Sequence, residues 1–261
     1  MGKVLVTGSG GQLGRTLQDL APRYPDLHFD FRTAKELDIT NQEQLNRVFK
    51  ENSFCACINC AAYTNVEEAE RNPKQAYVVN RDGAGHIAKA CLEHGATLVH
   101  ISTDYVFDGA KKGPYTVQDT PNPINEYGKS KWEGEKRIID TLETYFIVRT
   151  SWLYSRKYGH NFYRTILEKG RKGEKLKVTD AQVGCPTMTD NLARFIVNEL
   201  LSKKRPYGIY HYTDGESMTW YAFAKKIFIE NGLDLSNLEK VGIYRTFARR
   251  PKNSTLSGTS N

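Results

Sequence analysis

The chain has 261 residues, enough for one large domain or a core domain with a smaller partner, and its 39% apolar and 26% charged residues are typical of a globular protein. The sequence has no run of about 18 apolar residues, the length needed to cross a membrane. The first residues lack the apolar core of a signal peptide, so we expect a cytoplasmic protein. The net charge of +7 suits a phosphate-rich ligand, and because no nucleic-acid-binding motif accompanies it, we expect no nucleic acid partner.

Apolar runs of strand length alternate with helical patterns through the first 150 residues. Asn72 and Pro73 are typical of a helix start. Gly95 is typical of the residue that ends a helix by adopting the left-handed backbone conformation. This alternation predicts right-handed crossovers and a parallel sheet covered on both faces, so we expect an α/β fold with a Rossmann-type doubly wound parallel sheet. The predicted strands are 3–8, 27–31, 55–59, 97–102 and 145–151, with helices near 12–21, 41–51, 73–94 and 127–142.

Glycines crowd the turn after the first predicted strand, in VTGSGGQLG. Gly8, Gly11 and Gly14 lie three apart, which lets the backbone approach a pyrophosphate while the next helix directs its N–H groups at the phosphates. A glycine-rich turn without a ligand is the alternative, but the position after strand one favours a dinucleotide site. Asp30 and Arg32 end the second strand. An acid there favours NADH and an arginine favours NADPH, so the choice between them stays open.

The third predicted strand carries three of the five cysteines, Cys55, Cys57 and Cys60, in FCACINCAA. Their close spacing suggests a metal site, but no second pair of ligands stands at a suitable distance. The short apolar run is typical of a buried parallel strand, in which a free thiol packs as a small hydrophobe. We therefore expect no metal, and the odd number of cysteines indicates a reducing compartment.

The fourth predicted strand ends in Ser102, Thr103 and Asp104, at the edge where open α/β sheets bind ligands. Thr103 could bond a substrate oxygen and a tyrosine hydroxyl, or only cap a turn. In the following helix, INEYGKSKWEGE, Tyr127 and Lys131 share one face at the i, i+4 spacing. Because a nearby ammonium lowers the pKa of a phenol, the pair predicts a proton donor beside a cation that can hold the nicotinamide ribose. A solvated helix face is the alternative.

The pattern becomes less regular after residue 150. The tail NSTLSGTSN reads as disordered or cut short. We divide the chain into an NAD(P)-binding Rossmann domain, 1–150, and a smaller C-terminal α/β part, 151–261, that mainly binds substrate. The boundary is approximate and leaves room for segments that return to the first domain. The predicted elements of the second part are helices near 160–170, 190–203 and 219–231 and a strand at 208–213.

Several sequence blocks stand in the same order as in a known family and extend over nearly the whole chain. The most specific are STDYVFDG at 102–109 and RTSWLY at 149–154. With the glycine stretch, they resemble the extended short-chain dehydrogenase/reductase family, and within it the dTDP-4-dehydrorhamnose reductases. The remaining blocks are NCAAYTNVEEAE (59–70), YGKSKWEGE (127–135), NF (161–162), QVGCPT (182–187) and RPKNSTL (250–256).

The resemblance implies an oxidoreductase that uses NADPH or NADH to reduce the C4 carbonyl of dTDP-4-dehydro-β-L-rhamnose, giving dTDP-L-rhamnose for cell-surface polysaccharide. By position it implies Tyr127 as proton donor, Lys131 as its ribose-binding neighbour and Thr103 as the hydroxyl that tunes the pKa of the phenol. Without the resemblance, Trp152 would read as a core aromatic. The implied cofactor contacts are Gly8, Gly11, Gln12, Leu13, Asp30, Asp38, Ile39, Ala62, Tyr63, Thr64, Tyr127 and Lys131. The implied sugar contacts are Thr103, Asp104, Tyr105 and Trp152.

One departure from the subgroup concerns the substrate side. Relatives usually carry Asp beside Gln there, whereas Ala181 precedes Gln182 in this chain and Asp180 lies one place earlier. Two other functions stay open on the same fold. One is a reductase, epimerase or dehydratase acting on another nucleotide-sugar, and the other is a non-catalytic regulatory subunit resembling the β subunit of methionine adenosyltransferase. We also expect a homodimer and no membrane partner.

Overall fold

Six parallel strands form the central sheet of the computed structural model, which describes residues 2–203, 205–242 and 246–258. The strands are β1 (Gly2–Thr7), β2 (Leu27–Arg32), β3 (Phe54–Asn59), β4 (Thr97–Thr103), β5 (Tyr145–Thr150) and β6 (Gly208–Tyr212). Their order across the sheet is β6-β5-β4-β3-β1-β2, and each neighbouring pair is parallel. The chain moves outward from the centre in both directions, so the predicted doubly wound Rossmann-type fold is confirmed.

Helices cover both faces of this sheet. The helices of the described residues are α1 (Gln12–Leu20), α2 (Gln42–Glu51), α3 (Val66–Arg71), α4 (Pro73–Tyr77), α5 (Ala84–His94), α6 (Glu126–Thr141), α7 (Phe162–Arg171), α8 (Thr189–Phe195) and α9 (Trp220–Glu230), of which α7 and α9 belong to the C-terminal part and not to the layers on the sheet. Because successive strand residues point to opposite faces, Val4 and Val6 pack with α1 and α8, whereas Leu5 packs with α2, α5 and α6. Cys57, in the centre of β3, is fully buried, as its apolar strand predicts, whereas Cys55 on the same strand is exposed.

The predicted helix over 73–94 is continuous, but its middle is a π-helical turn, Val78–Gly83, between α4 and α5. Within this turn the Asn80 amide points inward. It accepts from Tyr63 N–H at 2.9 Å and donates to Tyr63 O at 3.0 Å and to the Ser130 hydroxyl at 2.9 Å. The three hydrogen bonds of this buried side chain account for the wider π-helical turn of the backbone. The spacing of apolar residues in the sequence does not predict such a turn.

The C-terminal part is built from α7, α9 and three short two-stranded sheets. An apolar cluster that includes Tyr163, Ile166, Phe223 and Phe228 holds α7 against α9. In contrast, β6 and α8 lie with the central sheet, although both follow residue 150. The division of the chain at residue 150 stays a prediction. The short strand pairs are Leu153–Tyr154 with Thr187–Met188, Leu176–Thr179 with Leu238–Val241, and Val183–Gly184 with Met218–Thr219.

Residues 253–258 are ordered, so the expectation of a disordered tail is wrong for them. Tyr115 N–H donates to Thr255 O, and Ser257 N–H donates to Tyr115 O, both at 2.8 Å. These bonds add the tail as a strand-like segment beside the loop that precedes α6. The predicted tail residues 259–261 lie outside the described residues. In the part of the chain that the structure describes, none of the helices combines the length and the apolar character needed to cross a membrane.

Candidate active site

A cavity of about 490 Å³ opens at the carboxyl ends of the central strands, beside the first turn of α6. This edge is where open α/β sheets bind ligands. We call it the inner cavity, and we call the adjoining space of about 930 Å³, lined mainly by α7 and the short strands behind it, the outer cavity. The predicted site residues that line the inner cavity are Gly11, Gln12, Leu13, Ala62, Thr64, Thr103, Asp104, Tyr105, Tyr127, Lys131 and Trp152. The predicted residues outside its lining are Gly8, Asp30, Asp38, Ile39 and Tyr63.

The glycine loop brings the N-terminus of α1 to the inner cavity. Gly8 adopts a φ of +63°, and a Cβ there would lie 2.5 Å from the backbone nitrogen of Ala61, so only glycine fits. Gly11 is the N-cap of α1, where no side chain caps the helix and no acidic residue stands in its first turn. The positive end of the helix is therefore left for an anion, which fits the diphosphate of a nicotinamide dinucleotide.

Gln12 joins the glycine loop to the segment that follows β5. Its amide nitrogen donates to Leu153 O at 3.0 Å, and its amide oxygen accepts from Ser155 N–H at 3.2 Å and from Asn161 Nδ2 at 3.1 Å. Because these protein groups occupy the side-chain amide, the predicted cofactor contact at Gln12 would fall to its backbone N–H group.

The two residues that were expected to select the cofactor bind each other at the end of β2. Arg32 Nε lies 2.6 Å from Asp30 Oδ1, and Lys3 Nζ lies 3.5 Å from Asp30 Oδ2. Burial opposes ionisation of Asp30, but the hydrogen bond and charge of Arg32, with Lys3, outweigh it and lower the pKa of the carboxyl. Ser9 N–H donates to Arg32 O at 3.0 Å, which holds this pair against the glycine loop. An acid thus stands with two cations, and this arrangement leaves the choice between NADH and NADPH open.

Three more residues predicted to contact the cofactor make contacts within the protein itself. The Asp38 carboxylate accepts from Thr40 N–H at 2.9 Å and from the Thr40 hydroxyl at 2.8 Å. Ile39 is buried in the core cluster beneath α5. Tyr63 exchanges backbone hydrogen bonds with the side chain of Asn80. Their cofactor roles stay predictions.

Tyr127 lies in the first turn of α6, at the mouth of the inner cavity. Asn125 caps this helix, because its amide oxygen accepts from Gly128 N–H at 2.7 Å. The Tyr127 ring packs edge-to-face on Tyr105, with ring centroids 5.8 Å apart. The cap fixes the start of the helix and the aromatic contact fixes the ring, so the phenol is held towards the cavity before any ligand binds.

The electrostatic surroundings of Tyr127 differ from the expectation. Burial raises the pKa of the Tyr127 phenol, a hydrogen bond with Thr103 lowers it, and the negative charge of Asp104 raises it again. The net pKa is above that of free tyrosine. Lys131 is not among the causes that shift the pKa of Tyr127 here, and its expected lowering of that pKa stays a prediction.

Lys131 is buried on the inward face of α6, with 1% of its surface exposed. Its Nζ lies 3.1 Å from His100 Nε2 and donates to Ile101 O at 2.7 Å. Burial lowers the pKa of Lys131 to about 8, although the negative charge of Glu135 opposes the shift. The amine is thus tied to β4 and is easier to deprotonate than an exposed lysine.

Thr103 and Asp104 end β4 with a closed set of hydrogen bonds. The Thr103 hydroxyl donates to Asp104 Oδ1 at 3.1 Å and accepts from Tyr105 N–H at 3.2 Å, so it caps the turn that follows, as one alternative predicts. Ser151 Oγ donates to Asp104 Oδ2 at 2.9 Å. Burial raises the pKa of Asp104 to about 6 despite these donors. A hydrogen bond from Thr103 is also one of the causes that lower the pKa of Tyr127, and because Thr103 has a single hydroxyl proton, it can donate to the phenol only by giving up its donation to Asp104.

Trp152 follows β5 in a left-handed conformation, with a φ of +46° that is strained for a residue with a Cβ. Its indole stacks on Trp220, with ring centroids 3.4 Å apart and planes 6° apart. Gly184 lies against the same indole, and a Cβ there would come within 2.5 Å of Nε1. Both indoles line the inner cavity, so Trp152 offers it a flat apolar face and is not only a core aromatic.

Arg250 is a site residue that the sequence reasoning missed. It lines both cavities, with Nη2 2.8 Å from Glu67 Oε1 and Nη1 3.3 Å from the Tyr105 hydroxyl. Its buried Nε finds no hydrogen-bond partner among the described residues. The conspicuous RPKNSTL block begins with this arginine, and that block was the one signal available for it.

The outer cavity carries further cations and an aromatic face. Lys169 and Lys177 line it, together with Phe162. At the position where the sequence departs from its subgroup, Gln182 lines the cavity and accepts from the indole N–H of Trp220 at 3.0 Å, while Asp180 is drawn away by an ion pair with Lys240 at 3.2 Å. The departure therefore leaves the glutamine in the cavity wall.

The two cavities together can hold two large anionic ligands, one next to the other. The inner cavity offers a helix N-terminus for a diphosphate, a phenol with a hydroxyl partner, and a flat apolar surface. The outer cavity offers cations and aromatic rings to a second anionic group. The phenol of Tyr127 in the inner cavity can serve as proton donor to an oxygen of a bound sugar.

Comparison with known proteins places the chain among nucleotide-sugar reductases. The family model described as RmlD substrate binding domain matches residues 2–261. A dTDP-4-dehydrorhamnose reductase of Aggregatibacter actinomycetemcomitans is 38% identical over 99% of this chain and 92% of its own length. The spore coat polysaccharide biosynthesis protein SpsK of Bacillus subtilis is 37% identical over 98% of this chain and 89% of its own.

A solved structure agrees with these relatives. The dTDP-4-dehydrorhamnose reductase of Bacillus anthracis, crystallised in complex with NADP, superposes with a TM-score of 0.94 at 40% identity. The superposition covers 99% of this chain and 92% of that one.

Proposed function

The chain belongs to the RmlD substrate-binding-domain family, and on that premise we propose that it reduces the C4 carbonyl of dTDP-4-dehydro-β-L-rhamnose to dTDP-L-rhamnose with NADPH or NADH. The bound dinucleotide would supply the hydride. The observation that supports the proposal most directly is that Tyr127 and Thr103 face the same inner cavity as the uncapped N-terminus of α1. A reduction needs a proton at the substrate oxygen, and this geometry brings a proton donor and a diphosphate site together.

The residues of the inner cavity would divide the work between binding and proton transfer. We propose that Tyr127 donates its hydroxyl proton to the C4 oxygen, while the Thr103 hydroxyl turns its proton from Asp104 to the phenol and so lowers the pKa of Tyr127. Lys131 would hold the nicotinamide ribose, and Trp152 would pack against the sugar ring. The first turn of α1, from Gly11, would hold the cofactor diphosphate.

The nucleotide of the substrate fits the outer cavity. Arg250 stands where the two cavities join, and Lys169 and Lys177 line the outer one, so positive charge surrounds the place where a sugar diphosphate would lie. Phe162 and Trp220 offer ring faces on which a base can stack. We also propose a cytoplasmic homodimer, and sedimentation of the purified protein would test the dimer.

The test follows reduced-nicotinamide absorbance with dTDP-4-dehydro-β-L-rhamnose as substrate, using NADPH and NADH in turn. Tyr127→Phe should lower kcat by about 10²–10⁴-fold, because it removes the transferable proton, and it should leave cofactor affinity nearly unchanged. Tyr24→Phe is the matched control, since its hydroxyl bonds Asn198 far from the cavity. Near-normal turnover in Tyr127→Phe would defeat the assignment. Cofactor binding with no oxidation of either nucleotide by the wild type would favour a regulatory subunit.

A further inference from the structure

A chain of buried hydrogen bonds runs behind Lys131 from β1 to α6. The Thr7 hydroxyl donates to Asn59 Oδ1 at 2.8 Å, and Ala61 N–H donates to the same oxygen at 3.1 Å. Asn59 Nδ2 lies 3.0 Å from His100 Nδ1, and His100 Nε2 lies 3.1 Å from Lys131 Nζ. Four of these side chains, those of Thr7, Asn59, His100 and Lys131, are at most 1% exposed. The proposed function assigns a role only to the last of them.

The direction of every bond in this chain follows from one backbone group. The Ala61 N–H can only donate, so the Asn59 atom facing it must be the amide oxygen. The amide nitrogen of Asn59 is then turned to His100 and donates to Nδ1, which must accept. Burial lowers the pKa of His100 well below its usual value, so the ring is neutral. A neutral ring that accepts at Nδ1 carries its proton on Nε2.

That proton points at Lys131. An ammonium has three donors and no acceptor, so an Nε2–H group 3.1 Å away opposes it, whereas a neutral amine can accept the bond through its lone pair. The amine still donates to Ile101 O at 2.7 Å. The hydrogen-bond polarity set at Ala61 is therefore satisfied throughout only when Lys131 is uncharged.

We propose that His100 is a positioning residue that donates Nε2–H to Lys131 and keeps this lysine a neutral amine until an anionic dinucleotide binds, when Lys131 takes up one proton from solvent. The inference rests on the proposed function, which makes Lys131 a cofactor-binding residue. The diphosphate brings negative charge to the inner cavity, and negative charge favours the ammonium. The protonated lysine then turns from the histidine towards the ligand.

The other groups around Lys131 do not restore its charge. Burial already lowers the pKa of the amine to about 8, and the donor on His100 acts in the same direction. Glu135 acts in the opposite direction, and a Cys60 thiolate would do the same, but burial raises the pKa of the Cys60 thiol to about 12 and keeps it uncharged. Glu135, however, forms a buried ion pair with Arg149 at 2.7 Å, so the guanidinium compensates its negative charge.

The tautomer of His100 can be read directly in the wild-type protein. Histidines labelled with ¹⁵N show in a long-range proton–nitrogen correlation spectrum which ring nitrogen carries the proton. Of the six histidines only His100 and His211 are buried, and His100→Gln assigns one of the two signals. If that variant does not fold, His211→Gln assigns the other. A neutral ring protonated at Nε2 between about pH 6 and 9 is expected. An Nδ1-protonated ring or an imidazolium would overturn the proposal.

The charge of Lys131 is tested by proton uptake on cofactor binding. Titration calorimetry with NADP⁺ at about pH 8, in buffers of different ionisation enthalpy, should show uptake approaching about one proton per site. In His100→Gln the side-chain amide can turn its oxygen to Nζ and stabilise the ammonium, so uptake should fall towards zero, while His211→Gln should keep it. Equal uptake in wild type and His100→Gln, or none in the wild type, would overturn the proposal. Failure of the reductase assay would refute the proposed function but leave both readouts intact.

Discussion

Replacing Gly184 by alanine should test whether the Trp152 indole shapes the substrate site. A Cβ at this position would lie 2.5 Å from Trp152 Nε1 and closer still to the neighbouring ring carbon. Ordinary contact needs about 3.5 Å, so the indole must shift by roughly 1 Å. It cannot shift alone, because Trp220 stacks on it with ring centroids 3.4 Å apart.

The expected loss follows from that displacement. A misplacement of about 1 Å in a substrate-positioning group costs up to about 10²-fold in rate, so we expect Gly184→Ala to lower kcat/KM for the nucleotide-sugar by about 10–10²-fold. Overpacking should also lower the free energy of unfolding by about 1–3 kcal/mol. Cofactor affinity should change much less, because the glycine loop is held by its own backbone hydrogen bonds, Gly11 N–H to Gly8 O and Ser9 N–H to Arg32 O, and not by the indole.

Steady-state kinetics, cofactor titration and urea unfolding of the same preparation separate these effects. Gly113→Ala is the matched control, because a Cβ there meets open space and the residue has no left-handed φ. It should leave all three measurements unchanged. If Gly184→Ala loses stability but keeps full kcat/KM, the Trp152 ring does not touch the substrate and the reasoning is refuted.

Three further predictions concern charge. Arg250→Lys should raise KM for the nucleotide-sugar by about tenfold and change kcat less, since an ammonium cannot replace the planar fork that joins the two cavities; an unchanged KM in steady-state kinetics would contradict it. Glu135→Gln removes the negative charge that compensates the buried Arg149, so urea unfolding should show a loss of about 3–5 kcal/mol, and a loss below about 1 kcal/mol would count against it. Burial raises the pKa of Asp104 to about 6. The Asp104 carboxyl of the folded protein therefore keeps a proton that the unfolded chain, with the ordinary pKa of 3.8, releases at lower pH. The free energy of unfolding therefore falls as the pH rises from 3.8 to about 6. Asp104→Asn should remove that fall, and an identical pH profile of unfolding in both proteins would refute the assignment.

The central strands were predictable because each is a short apolar run between turn residues. The sixth strand, β6, was visible as a strand but not as a member of this sheet, since a long segment of other structure separates it from its partner β5. The tail misled the prediction for a different reason. Its composition is polar, yet Ser254 and Thr255 are buried because backbone hydrogen bonds hold them in place. The composition of a segment indicates how favourably it is solvated on average, but it does not show which groups the segment bonds in the folded protein.

Residues of the site that follow strands or share a helix face could be found from the sequence. Thr103 and Tyr127 came from such positions, and the structure brings both to one cavity. Arg250 and His100 could not be found in this way. Arg250 reaches the cavity from an irregular segment with no period, and His100 sits in an apolar strand where a buried histidine looks like any other core residue. The raised pKa of Tyr127 was also unpredictable, because desolvation depends on packing that spacing alone does not report.

The place of β6 has a consequence for engineering this protein. A fragment ending at residue 150 would expose the unpaired backbone edge of β5, and a bare parallel edge invites aggregation. The nucleotide-binding fold is completed only by a strand synthesised late in translation. Chimeras meant to transplant sugar preference between relatives should therefore exchange loops around the cavities, since a junction at the apparent domain boundary would import a foreign strand into the sheet.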